Sequence, residues 1–358
     1  MKKITFEIET ITPMFLSGAN QSKAELRAAS IKGLLRFWWR ALQAESDLNE
    51  LRKKEAKIFG SSEEGVGGSS FSIRVTYNDE LRCSTDDLPK HNITVTSKSR
   101  GQSFPVNILE YLAYGPCTYN KDKKRNVIVR EYIEPGFNFT IRINIVTEAF
   151  MEEILQTMLV FDLFGGIGSK SRNGYGSFCI KNREACFKLI SNKFAIQEQY
   201  TKQNLQKIVK QIESNSYSSF AKGTKIFRTE KSYNTWDKAL GEMGKIYRGV
   251  RSGDIKKDNV PFEKHFKYDK RQYIASPIIV DKQEKSFLDR HAKPYFIKIA
   301  KESDKYRAYI LYLPSRYCDG LEKDRNGLTI NHSNEDKKFA EVCNEFNSFL
   351  AANMETVI

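Results

Sequence analysis

Within the opening residues the hydrophobic period switches from that of a strand to that of a helix, and that switch limits the folds open to the chain. Ile4, Phe6 and Ile8 alternate with Thr5, Glu7 and Glu9, so residues 2–12 read as a strand with one buried face, closed by Pro13. After a polar loop, SGANQSKAEL, Ser30 is placed as the N-cap of a helix over 31–43. Ile31, Leu34, Leu35, Trp38 and Leu42 share one face of it, the face meant for the core. Residues 70–77 and 92–96, rich in branched side chains, read as strands with the turn-rich GSSEEGVGGSS before them. An irregular insertion is expected over 98–130, holding Tyr111, Tyr114 and the charge run KDKKR. A strand follows at 137–146, then a helix at 148–164 with Ile154, Leu155, Met158, Leu159 and Leu163 at helical spacing. The glycine-rich GGIGSKSRNGYGS leads into a last short strand, SFCIKN. Strand, helix, strands, strand, helix, strand is an order that suits a ferredoxin-like βαββαβ unit with insertions.

The second half repeats the pattern less clearly. Residues 191–215, rich in Gln and Asn, read as a link between the halves. A helix over 235–251 carries Trp236, Leu240, Met243, Tyr247 and Val250 on one stripe. Strands are expected at 275–280, 293–300 and 306–313, and a closing helix at 334–352. The fold expected is α+β: two ferredoxin-like (RRM-like βαββαβ) domains in tandem with insertions, over 1–190 and a degenerate copy over 191–358.

Composition bears on partners. The 58 Lys and Arg outnumber the 44 Asp and Glu, giving +14, an excess that suits a polyanion such as nucleic acid. The start, MKKITFEIET, does not read as a signal peptide, and no apolar stretch reaches transmembrane length, so a cytoplasmic protein is expected. The six cysteines form no C-x-x-C pair and read as buried thiols rather than a disulfide or zinc framework. No metal-like His spacing, H-E-x-x-H or G-x-S-x-G pattern occurs. No cofactor or metal is expected, and the chain is read as non-enzymatic.

Three segments carry binding chemistry. In SIKGLLRFWWRAL, Lys32, Arg36 and Arg40 recur every four residues, so they form a cationic row needing something negative alongside. A phosphate backbone meets that need, and Trp39 beside the row is a candidate stacking surface for a base. In the glycine loop, Gly166 and Gly168 let backbone N–H groups approach an anion, with Lys170 and Arg172 as cations. The loop follows a helix and opens a strand, the reverse of an NTPase P-loop, and Lys170 follows Ser169. In GEMGKIYRGVRSG, Lys245 and Arg248 fall off the apolar stripe, while Gly241 and Gly244 permit close backbone approach.

These residues are recognisable together. The opening strand with TPMFLSGA, then ELRAASIKGLLRFWWRAL, resembles the N-terminal signature of the RAMP superfamily, and more narrowly the first subunits of Cmr (type III-B) CRISPR complexes. The loop GGIGSKSRNGYGS resembles the glycine-rich loop of that superfamily. WDKALGEMGKIYRG and ASPIIV resemble the second domain of those subunits. The resemblance implies a non-catalytic RNA-binding subunit of an antiviral ribonucleoprotein. It would hold the 3′ part of the guide RNA and the target RNA paired with it, among other Cmr subunits. Carried onto this sequence, it makes Lys32, Arg36, Arg40, Lys170 and Arg172 candidate RNA contacts. The loop departs from the family pattern in having Lys170 and Asn173 where arginine is commoner.

Two other readings stand beside it. A metal-free RAMP endoribonuclease processing guide RNA would need a general base, and His291 in DRHAKPY is the seed for one. A purely structural subunit would turn its basic charge toward acidic neighbours instead.

Overall fold

The computed structural model describes residues 1–63, 67–96, 102–188, 190, 200–213, 215–252, 256–257, 260–261, 268–276, 279–280, 283–284 and 287–358. Strand β1 (Lys2–Thr10) alternates as its sequence requires, with Ile4, Phe6 and Ile8 buried. It pairs antiparallel with β3 (Asn138–Ile145), Lys2 opposite Ile145, and with β4 (Phe178–Ile180), Ile8 opposite Ile180. The outer strand β2 (Phe71–Thr76) pairs with β3. The sheet order is β4-β1-β3-β2. Helix α1 (Ala28–Gln43) connects β1 toward β2, and α4 (Met151–Phe164) connects β3 to β4. This is the strand order and connectivity of a split βαβ unit.

Helix α1 begins two residues before Ser30. Extended Arg27 stands at its N-cap without a side-chain cap bond, and Ala44 closes it in the left-handed region with φ 49°. A second helix, α2 (Leu48–Phe59), follows where the sequence pattern predicts none. Asp47 starts it, its carboxylate accepting from the backbone N–H groups of Asn49 and Glu50.

The second sheet is built likewise. Strand β5 (Lys225–Arg228) pairs with β7 (Lys305–Tyr312) and with the two-residue β8 (Glu355–Thr356). A hairpin joins β6 (Tyr295–Glu302) to β7. The order is β6-β7-β5-β8, which in chain order is the arrangement of the first sheet. Helix α5 (Trp236–Ser252) lies between β5 and β6, and α6 (His332–Asn353) between β7 and β8. Of the strand expected at 275–280, Ile279–Val280 is observed, and residues 277–278 lie outside the described ones. So do 191–199, the first part of the expected link.

The two sheets share their cores. Phe296, Tyr309 and Leu311 of the second sheet pack with Phe6, Ile31 and Trp38 of the first. Ile11, Phe15 and Tyr175 pack in turn with Leu240, Met243 and Ile297. Each large side chain fully buried this way contributes about 1.5–3 kcal/mol. The insertion between β2 and β3 is longer than expected. It takes up 92–96, which pairs with Ser103–Asn107 as a separate hairpin instead of joining the main sheet. A short helix α3 (Ile108–Leu112) and a second hairpin, Cys117–Asn120 with Arg125–Ile128, follow. Ile108, Leu109 and Leu112 pack against Met243 and Tyr247, so the first half's insertion is held by the second half's helix.

Candidate nucleic-acid interface

The cationic row of α1 finds its negative partner inside the protein. Glu55 of α2 is 8% exposed, and Arg40 grips it with both Nε and Nη2, the latter at 2.6 Å. Arg36 Nε lies 3.2 Å from the same carboxylate and Nη2 donates to Gly60 O at 3.3 Å. The bond to Glu55 raises the pKa of Arg40. Lys32 stands at the end of the row with its ammonium 5.2 Å from the centroid of the Phe71 ring. Burial, then the charge of Arg36, lowers its pKa. Trp39 is not a stacking platform: it is fully buried and its indole N–H donates to Glu153 Oε1 at 2.7 Å.

The glycine loop faces protein too. Gly168, at φ +95°, brings its Cα so close to the Phe15 carbonyl that a Cβ would sit 2.4 Å from that oxygen. At Gly166 a Cβ would lie 2.9 Å from Tyr175 O. The backbone N–H groups of Ile167, Ser169 and Gly176 donate to Gly176 O, Phe15 O and Pro13 O. Those groups are therefore not a free anion cradle; the loop ties the end of β1 to the second sheet. Arg172 is half-buried at that seam. Its guanidinium donates to Lys293 O at 2.5 Å and lies 4.4 Å from the Phe296 ring centroid. Burial lowers its pKa to about 10, so it stays charged at neutral pH.

Gly241 and Gly244 of α5 serve the same end. A Cβ on Gly244 would meet Ile108 at 2.7 Å, and one on Gly241 would meet the His91 ring at 2.9 Å. What approaches closely there is the insertion. Arg248 stacks 4.5 Å above the Tyr111 ring, and Lys245 pairs with Glu242 at 3.6 Å while remaining partly exposed.

Lys170 is where an open site remains. It adopts φ 61° and lines a cleft of about 450 Å³ between the glycine loop, the insertion and α5. Burial, then the charge of Arg130, lowers its pKa. Lys293 and Arg251 line the same cleft, with Tyr111, Tyr114 and Asn173. Sequence reasoning missed Lys293 and Arg251 as site residues. Lys293 precedes a strand and had no periodic signal among the many lysines. Beside the cleft, the hairpin turn carries exposed Lys121, Lys123 and Lys124, the expected charge run.

His291 is poorly placed as a general base. Its Nε2 is buried with no hydrogen-bond partner among the described residues, and its ring sits 4.6 Å from Tyr317 and 5.4 Å from Phe339. Burial, then the charge of Arg172, pushes its pKa down to about 4. Among the described residues no cluster of His, Cys, Asp and Glu can hold a metal ion, and no helix is long and apolar enough to cross a membrane.

Comparison with known proteins bears on the same segments. Residues 7–179, from β1 to the strand after the glycine loop, match the model of the RAMP superfamily. Over 191 residues the chain is 28% identical to CRISPR system Cmr subunit Cmr1-2 of Pyrococcus furiosus, covering 51% of this chain and 96% of that protein. It is also 28% identical over 180 residues to subunit Cmr1-1 of the same organism, covering 49% of this chain and 46% of that one. The match thus spans about half the length of Cmr1-1. The crystal structure of apo Cmr1 from Pyrococcus furiosus superposes with a TM-score of 0.55 at 18% identity, over 99% of this chain and 98% of that one. At that identity the likeness is one of fold. Over residues 7–179, just under half of its length, the chain is similar to the RAMP superfamily.

Proposed function

We propose that the chain is a non-catalytic RNA-binding subunit of a type III-B (Cmr) CRISPR ribonucleoprotein in antiviral defence. It consists of two ferredoxin-like domains in tandem, over 1–190 and 191–358, whose sheets share one order. Its partners are guide RNA, the target RNA paired with it, and other Cmr subunits, and it works in the cytoplasm. Within that assembly it holds the 3′ part of the guide and the target paired there. Base pairing carries the sequence information and the protein holds the phosphates. Likeness to Cmr1 subunits supports the assembly.

The observation that carries the RNA-binding reading is the meeting of Lys170, Arg251 and Lys293 around one cleft in a chain of net charge +14. The ribonuclease reading has no comparable support, because its one candidate base packs among aromatic rings with its Nε2 enclosed.

RNA binding by the full chain over a salt series tests the proposal. Affinity should fall steeply with salt, with little dependence on sequence, and the slope should flatten by about one in Lys170→Ala. An affinity insensitive to salt, or cleavage of repeat RNA that is lost in His291→Ala, would overturn it.

A further inference from the structure

Lys293 is 8% exposed, and its ammonium has no hydrogen-bond acceptor among the described residues. It lies over the Tyr247 ring, with the centroid 4.3 Å away. A buried polar group without a partner is costly, and a buried ammonium more so. The surroundings make this worse, since Arg172, Arg251 and Lys170 all disfavour its charge. Among the described residues lining the cleft the only carboxylate is Glu110, and its oxygens already accept from Asn107 Nδ2 at 3.2 Å and Asn126 Nδ2 at 2.7 Å.

A site that assembles cations, leaves one of them unsatisfied and supplies no free anion is complementary to an anion from outside. The shape narrows the choice. At about 450 Å³ the cleft has the size of a small-molecule site and has no room for a duplex. Tyr114 on its wall is 74% exposed and presents an open ring, whereas the Tyr111 ring is already covered by Arg248. A phosphate within reach of the ammonium groups and a base against an aromatic ring are together the recognition elements of one nucleotide.

We propose that this cleft takes a single nucleotide unit of unpaired RNA, its phosphate held by Lys293, Lys170 and Arg251 and its base stacked on Tyr114. The proposal rests on the RNA-binding reading and adds to it the place and the unit bound. An incoming phosphate also changes the proton balance. Burial first, and then the three neighbouring cations, hold the pKa of Lys293 well below its usual value in the free protein. A phosphate anion raises it again. The groups facing Lys293 are Lys170 and Arg172 of the loop, Tyr247 and Arg251 of α5, and Tyr111 and Glu110 of the insertion. Binding therefore takes up a proton, and affinity falls as pH rises past the free-state pKa.

The test is calorimetric titration of the full chain with a short unstructured RNA and, separately, with adenosine monophosphate. Lys293→Met, Tyr114→Ala and Tyr119→Ala are compared with wild type. Methionine suits the buried site, and Tyr114 and Tyr119 are both exposed, so folding is not at stake. RNA affinity should drop about tenfold in Lys293→Met, with the salt slope reduced by about one. It should drop several-fold in Tyr114→Ala and stay unchanged in Tyr119→Ala. Wild type should take up a proton on binding, and Lys293→Met should not. RNA bound with equal affinity by wild type, Lys293→Met and Tyr114→Ala would overturn the cleft and leave the RNA-binding reading standing. Adenosine monophosphate bound through Lys293 in a chain that ignores RNA would keep the phosphate site and overturn RNA as its source. Failure of both probes to bind would overturn both.

Discussion

Glu55 shows how a charged row can be compensated from within at the level of single residues. Three cations at four-residue spacing do need a counter-charge, but a carboxylate from the next helix supplies it. Sequence spacing within α1 could not show this, because the partner lies on a helix whose sparse apolar residues hid it: Leu51, Ile58 and Phe59 are its buried hydrophobics. The signal that was available was the cap, Asp47 with Glu50 three residues on. Removing the carboxylate in Glu55→Ala leaves two guanidinium groups uncompensated. That should lower stability by about 1–3 kcal/mol in urea denaturation, with the salt slope of RNA binding unchanged. Trp39→Phe belongs to the same class. It should cost about 1–3 kcal/mol, since a smaller ring leaves a gap in the core and Glu153 loses the indole donor while keeping the one from Gln43. A loss of RNA affinity at full stability, in either variant, would return α1 to the interface.

At the scale of elements, the long periodic ones were legible. The first strand, both helices of the first βαβ pair, the β6–β7 hairpin and the last helix fell where period and branching put them. What escaped was short. Strand β5 has four residues and β8 has two, too few for any period to register, and the pairing of β5 with β7 on one side and β8 on the other is a tertiary matter. The glycines were legible as a need for close approach, though not as to what approaches. At Gly176, φ is +65° and a Cβ would lie 1.9 Å from Ile167 O. At Gly223, φ is +95° and nothing lies within 4 Å. Gly223→Ala should therefore cost only the backbone strain of about 1–2 kcal/mol, and Gly176→Ala clearly more, because the main chain itself must move. Equal losses in thermal or urea unfolding would contradict this account of the loop.

At the scale of the molecule, the two sheets meet across a seam that the glycine loop crosses. Lys298 of β6 is fully enclosed there, donating to Gly165 O at 2.9 Å and Phe178 O at 2.8 Å. Burial lowers its pKa from 10.5 to about 7. A lysine whose folded-state pKa is depressed binds its proton more weakly folded than unfolded, so stability rises with pH between the folded value and 10.5 and is flat below it. Lys298→Met removes that dependence. The stability of wild type relative to the variant should climb between about pH 7 and pH 10, and parallel pH curves would exclude the proposed titration. The seam matters to function because it fixes the cleft. Lys170 comes from the first half, Lys293 and Arg251 from the second, and the insertion closes the third wall. None of this proximity is encoded in local sequence, which is why the loop cation could be read as a candidate from the sequence and its cleft companions could not.

The most direct test of that cleft is photo-crosslinking of the full chain to thiouridine-labelled RNA, with the linked residues mapped by mass spectrometry. The account predicts crosslinks at Tyr114 and the segment around Lys170. Crosslinks confined to α1 and α2, with none at the cleft, would contradict it.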